Sequence, residues 1–124
     1  MSDHATTIRR FWETTEARDW TGLEALLSPG LVYQTEQTRE RVQGPGGLVR
    51  LFQEFPGEWH LALRRVVADA DSGSSVLDAT LDGEPMVGLT FFAFDDAGLV
   101  TRIEEWWPQP YDPPAGREHL TERY

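Results

Sequence analysis

The sequence predicts an α+β domain, with three N-terminal helices packed on one face of a curved, mostly antiparallel sheet. Two observations carry this. Up to Phe55 the apolar residues recur at helical spacing, and from Glu58 onward they recur at period two. Turn signals then cut the second half into runs of strand length, the pattern of a meander rather than of alternating strand and helix.

The first helix is marked by Ile8, Phe11, Trp12 and Thr15, at i, i+3, i+4 and i+7, with Ser2 or Asp3 available as its cap. Asp19 can cap a second, short helix burying Trp20, Leu23, Leu26 and Leu27, which Ser28-Pro29-Gly30 stops. Leu31 to Thr35 reads as a strand, and Arg39 to Gln43 as a second short one. Gly44-Pro45 opens the third helix, whose apolar positions are Leu48, Leu51, Phe52 and Phe55, and Pro56-Gly57 ends it.

In the meander, Trp59, Leu61, Leu63 and Val67 alternate with His60, Arg64 and Ala68. The segment ADADSGSS reads as a turn before Val76–Leu81, where Leu77, Ala79 and Leu81 share a face. Asp82-Gly83 is a two-residue hairpin signal. Val87–Phe94 is almost wholly apolar, as a central strand should be, and Asp95-Asp96-Ala97-Gly98 turns into the last strand.

A chain of 124 residues is one domain, residues 1–124, with 108–124 a proline-rich C-terminal extension. It has no cysteine, which excludes disulfides, thiol chemistry and cysteine-based zinc sites. The net charge of −10 repels polyanions, so nucleic acids and anionic membrane surfaces are not expected partners. No apolar run approaches the roughly 20 residues that cross a membrane. The N-terminus MSDHATTIRR lacks the apolar stretch of a signal peptide, so a cytoplasmic protein is expected.

The segment GLVTRIEEWWPQPYDPPAGR carries the chemistry. On a strand, Leu99, Thr101, Ile103, Glu105 and Trp107 share one face, and Val100, Arg102, Glu104 and Trp106 the other. The first face is the more apolar and is expected to be interior. A carboxylate there is paired, protonated or working. Glu104 reads as a solvated charge, although a β-bulge would exchange the two.

The segments FWETTEARDWTGLEALLSPGLVY, TRERVQGPGGLVRLF and GLVTRIEEWWPQPYDPP resemble the NTF2-like fold, a cone-shaped α+β barrel. Within it the chain resembles the SnoaL-like group, which includes polyketide cyclases and has ketosteroid isomerases and limonene-type epoxide hydrolases as relatives. It is also similar to small bacterial proteins of this fold that end in Trp-Pro-x-Pro-Tyr, here Trp107 to Tyr111.

The resemblance implies a homodimer with an interior pocket for a small hydrophobic molecule and chemistry that needs no cofactor. Glu105 would line that pocket as a general acid or base, or else be a structural carboxylate bound to an arginine. Arg39 would hold a substrate oxygen or pair with Glu105. Tyr33 would donate to an oxyanion or be a core tyrosine. Trp12, Trp59 and Trp107 would form the pocket walls, and Tyr111 would fold over the mouth or anchor a dimer. The relatives' own machinery is incomplete: the isomerase Tyr and Asp fall on Phe11 and Thr35, and an epoxide hydrolase Asp falls close to Pro108. A cyclase needs mainly one pocket carboxylate, which Glu105 supplies.

No metal site is expected. His4 is near the N-terminus, His119 is in the tail, and His60 lies opposite Trp59 and Leu61, on a sheet face with Arg64 and Asp78 suited to dimerisation. Gly44-Pro45-Gly46-Gly47 lacks the Lys and Ser/Thr of a phosphate loop. The function expected is thus a cofactor-free isomerase, cyclase, dehydratase or hydrolase acting on a small aromatic, polyketide-like compound. The alternatives are a non-catalytic binding protein and a dimerisation module.

Overall fold

A computed structural model describes residues 3–124. The elements run α1 (His4–Ala17), α2 (Trp20–Glu24), β1 (Leu27–Thr35), β2 (Glu40–Gln43), α3 (Pro45–Glu54), β3 (Trp59–Ala68), β4 (Ser72–Leu81), β5 (Glu84–Phe94) and β6 (Val100–Trp106). The strands form one six-stranded sheet in the order β2-β1-β6-β5-β4-β3. Every pairing is antiparallel except β1 with β6. This is the expected α+β architecture, three helices on a curved, mostly antiparallel sheet.

The Asp3 side chain accepts the Thr6 N–H and caps α1, whereas Ser2 lies outside the described residues. The helix ends at Arg18 in the left-handed region, where the Arg18 N–H is taken up by the Thr14 and Thr15 carbonyls. Asp19 caps α2 through the Gly22 N–H. That helix stops at Glu24, so Leu26 and Leu27 are not on it. Leu27 already pairs with Val100, and the ladder is then irregular until Val32 meets Arg102. Pro29 explains the gap, since it has no N–H to give to a neighbouring strand.

Three other boundaries move for physical reasons. Arg39 belongs to the β1–β2 turn with φ 61°, so β2 begins at Glu40. The polar run of the ADADSGSS segment does not remain a turn, because β4 starts at Ser72. Small residues are needed there since α1 lies on them: a Cβ on Gly73 would sit 2.6 Å from Ile8 Cδ1, and the Trp12 Nε1–H donates to Ser75 Oγ at 3.0 Å. In β3 a register shift between Leu63 and Arg65 turns Val66 toward the core and leaves Val67 58% exposed. The Asp82-Gly83 hairpin is as expected, with φ 50° and 82°.

The core lies between the helices and the concave face of the sheet. Phe11, wholly buried, is its hub, with Trp12, Phe92 and Phe52 rings at 4.7, 5.3 and 6.3 Å. The end of α1 also closes the edge of β3. Glu16 accepts the Leu61 N–H at 2.8 Å, and Arg18 donates to the Trp59 carbonyl while stacking on its ring. Among the described residues, no helix is long and apolar enough to cross a membrane.

Candidate active site

A cavity of about 450 Å³ opens between α1, α3 and the concave sheet face. Trp12, Tyr33, Phe52, Phe55, Trp59 and Trp107 give it aromatic walls, and Thr35, Gln37, Thr38, Glu40 and Gln109 are among its polar lining. Trp12, Trp59 and Trp107 are all part of this lining.

Glu105 lines this cavity from β6, between Thr35 of β1 and Thr90 of β5 in the register. Among the described residues it is the only buried carboxylate, 3% exposed. Its Oε1 accepts the Tyr33 hydroxyl and the Trp107 indole N–H, the latter at 2.9 Å, and its Oε2 accepts the Thr90 hydroxyl at 3.3 Å. Burial pushes the Glu105 carboxyl above the ordinary carboxylate range. The three donors favour the ionised form and pull it back, without cancelling the effect of burial. Burial, and after it the charge of Glu105, holds the Tyr33 hydroxyl well above the ordinary phenol value, so Tyr33 keeps its proton and remains a donor.

The face assignment of β6 holds from Ile103 on, but Val100, expected on the outer face, is buried in the core beside a register shift. Glu104 is half-buried on the opposite face and accepts the Trp106 indole N–H at 2.9 Å. The irregularity opposite β6 falls between Ala93 and Phe94, upstream of this stretch, so the alternation from Ile103 to Trp106 is intact.

Trp107 reaches Glu105 because Gly88 leaves room for it. A Cβ on Gly88 would lie 2.8 Å from the indole, so the ring rests directly on the β5 backbone. The Trp107 N–H is held by the Gln37 side chain.

Two expectations are corrected. Arg39 does not pair with Glu105 and does not line the cavity; its left-handed turn position leaves it exposed. The residue of that segment set opposite Thr35, on the inner face, is Glu40. Tyr111 does not cover the mouth: it follows the Pro108-Gln109-Pro110 break and stands 85% exposed. Sequence reasoning gave no role to Glu40, although counting inward from Val42 by strand alternation would have found it.

Of the histidines, His4 is buried rather than frayed, stacked on Phe94 at 3.9 Å with its Nδ1 2.9 Å from the Asp69 carbonyl. His60 is exposed between Glu16 and Glu58, at 2.9 and 3.5 Å, and its hydrogen bond to Glu16 raises its pKa. His119 is exposed in the tail. Among the described residues no three metal-ligating side chains cluster.

A family model described as the SnoaL-like domain matches residues 8–103. The chain is similar to the crystal structure of a candidate ketosteroid isomerase from Kribbella flavida, at 39% identity and TM-score 0.92, covering 98% of this chain and 89% of that one. It shares its fold with an LEH-like epoxide hydrolase of M. tuberculosis (18% identity, TM-score 0.71, 85% and 82% covered). A candidate polyketide cyclase of Sinorhizobium meliloti has it too (17% identity, TM-score 0.70, 81% and 93% covered). No curated protein matches at a significant level. By the family model and the Kribbella flavida relative together, this chain belongs to the SnoaL-like domain family.

Proposed function

We propose that this protein is a cofactor-independent acid/base enzyme for a small hydrophobic or aromatic carbonyl compound, with Glu105 as the proton carrier. One observation carries the reading: the buried carboxylate among the described residues lines an aromatic cavity and has its pKa raised above the ordinary carboxylate range by burial. The relatives support the class, since isomerases, cyclases and epoxide hydrolases all act on small molecules. The isomerase positions argue for a different arrangement here, because Phe11 is a core ring and Thr35 is not a base.

The ionised carboxylate takes a proton from the carbon beside the substrate carbonyl and returns it elsewhere, which is isomerisation, or assists ring closure. Tyr33, Trp107 and Thr90 fix its orientation. Arg39 is exposed and outside the cavity lining, so the role of polarising the carbonyl falls to Tyr33. Once Glu105 is protonated it draws less on the phenol, which is then free to donate to the enolate oxygen.

The test is deuterium incorporation from D2O into a panel of enolisable aromatic ketones, followed by proton NMR. Wild type should exchange the α-protons of at least one of them, and Glu105→Gln should not. Equal exchange by the variant removes Glu105 from the chemistry.

A second reading is a ligand-binding protein without turnover. The observation favouring it is that Glu105 has three donors and needs nothing from a substrate. Tight binding with no exchange in wild type would select it.

The protein is further proposed to act as a homodimer through the outer face of the sheet. Phe91 and Trp106 are 48% and 37% exposed there, and the Arg64–Asp78 ion pair lies on the same face.

A further inference from the structure

We infer that the ligand of this cavity carries a cation on an aromatic or apolar body, an arylalkylammonium being the simplest case. The inference rests on the cavity being a ligand site, as proposed above, and not on any catalytic role of Glu105.

The walls are the first argument. Trp12, Tyr33, Phe52, Phe55, Trp59 and Trp107 surround the space, and the faces of such rings are electronegative. Trp59 already accepts a cation: the Arg18 guanidinium lies 3.6 Å from its ring centre, and Arg18 is not part of the lining.

The charges are the second. The acidic residues in the lining are Glu105 in the depth and Glu40, whose charge is felt by Tyr33. The basic one is Arg41. In the sheet register Glu40 and Val42 sit opposite Thr35 and Tyr33 on the inner face. Arg41 instead sits opposite Gln34, and Gln34 opposite Glu104, which is the outer row. An anionic ligand would therefore meet two carboxylates against one cation, Arg41, which enters the lining from the outer row, and burying it largely unpaired is costly. The chain's charge of −10 also raises the concentration of cations at the mouth.

The experiment compares phenethyltrimethylammonium, its uncharged carbon isostere and 4-phenylbutyrate by tryptophan fluorescence titration and calorimetry. The ammonium compound should bind about tenfold or more tighter than the isostere, with the carboxylate weakest. Glu40→Gln should cut the advantage of the cation over the isostere severalfold. Equal or tighter binding of the isostere or the carboxylate overturns the proposal. If proton exchange by wild type and its loss in Glu105→Gln persist in that case, the acid/base reading stands alone. No binding by any of the three at millimolar concentration overturns the proposal together with the reading of the cavity as a ligand site.

Discussion

Glu105 can be separated from its surroundings by two substitutions with different costs. Glu105→Gln keeps the shape and an acceptor oxygen. The amide oxygen can still take the Tyr33 and Trp107 donors, and the amide N–H can donate to the Thr90 hydroxyl, which accepts as readily as it donates. Hydrogen bonds to a charged group give about 1.5–3 kcal/mol and neutral ones about 0.5–1.5, so the variant loses strength in each. It also no longer buries a charge, an offset of similar size. The net change at neutral pH should be within about 1 kcal/mol. Glu105→Ala instead strands the Tyr33 and Thr90 hydroxyls, 3% and 0% exposed. At about 1–3 kcal/mol for each unsatisfied group, Ala should cost about 2–6 kcal/mol, while Trp107 can turn to water in the cavity.

The difference also depends on pH. The folded-state pKa of Glu105 lies above its unfolded value, so its contribution is fully present below the ordinary carboxylate pKa. It is lost as pH rises through the folded-state value. The stability of Glu105→Gln relative to wild type should therefore improve across that window. Urea unfolding followed by tryptophan fluorescence at several pH values reads both effects. If Gln costs as much as Ala and the difference is flat with pH, Glu105 is a structural acceptor and the reasoning fails.

Other consequences concern the surroundings of the site. Gly88→Ala places a methyl 2.8 Å from the Trp107 indole, so the ring must leave Glu105. A loss of about 1–3 kcal/mol and an altered near-ultraviolet dichroism are expected. Unchanged spectra would mean that the indole does not rest on Gly88. Glu16→Gln removes the largest cause of the raised His60 pKa, so the NMR titration midpoint of His60 should fall toward the ordinary histidine value. An unchanged midpoint would show that the pair does not form in solution. Phe91→Asp puts a charge on the outer sheet face and should halve the mass seen by light scattering. A wild type that is already monomeric would refute the dimer.

The elements were legible in the sequence where periodicity and burial agree. The face of α1, the Asp82-Gly83 hairpin and the inward face of β6 from Ile103 on could all be read directly, because there each residue's spacing decides its side. The errors lie where tertiary contact overrules local signal. Ser72 to Ser75 carries turn residues, yet it pairs as a strand because Ile8 and Trp12 need small neighbours. Val67 was lost to a bulge that no pattern in β3 announces. Within the site, Glu105, Trp59 and Trp107 lie on the faces that strand alternation gave them, and Trp12 on the face given by the helical spacing of α1. Arg39 does not, because one residue in the left-handed region shifted the register of the short β2 and brought Glu40 inward. Gly88 carried no sequence signal, since its role is defined only by the ring lying on it.

The central claim is that Glu105 is poised to move protons. The most direct measurement is the carbon-13 NMR titration of its side-chain carboxyl in the folded protein, assigned with Glu105→Gln. The account predicts a midpoint clearly above the ordinary carboxylate range. A midpoint at or below that range would contradict it, showing a carboxylate held permanently ionised by Tyr33, Trp107 and Thr90.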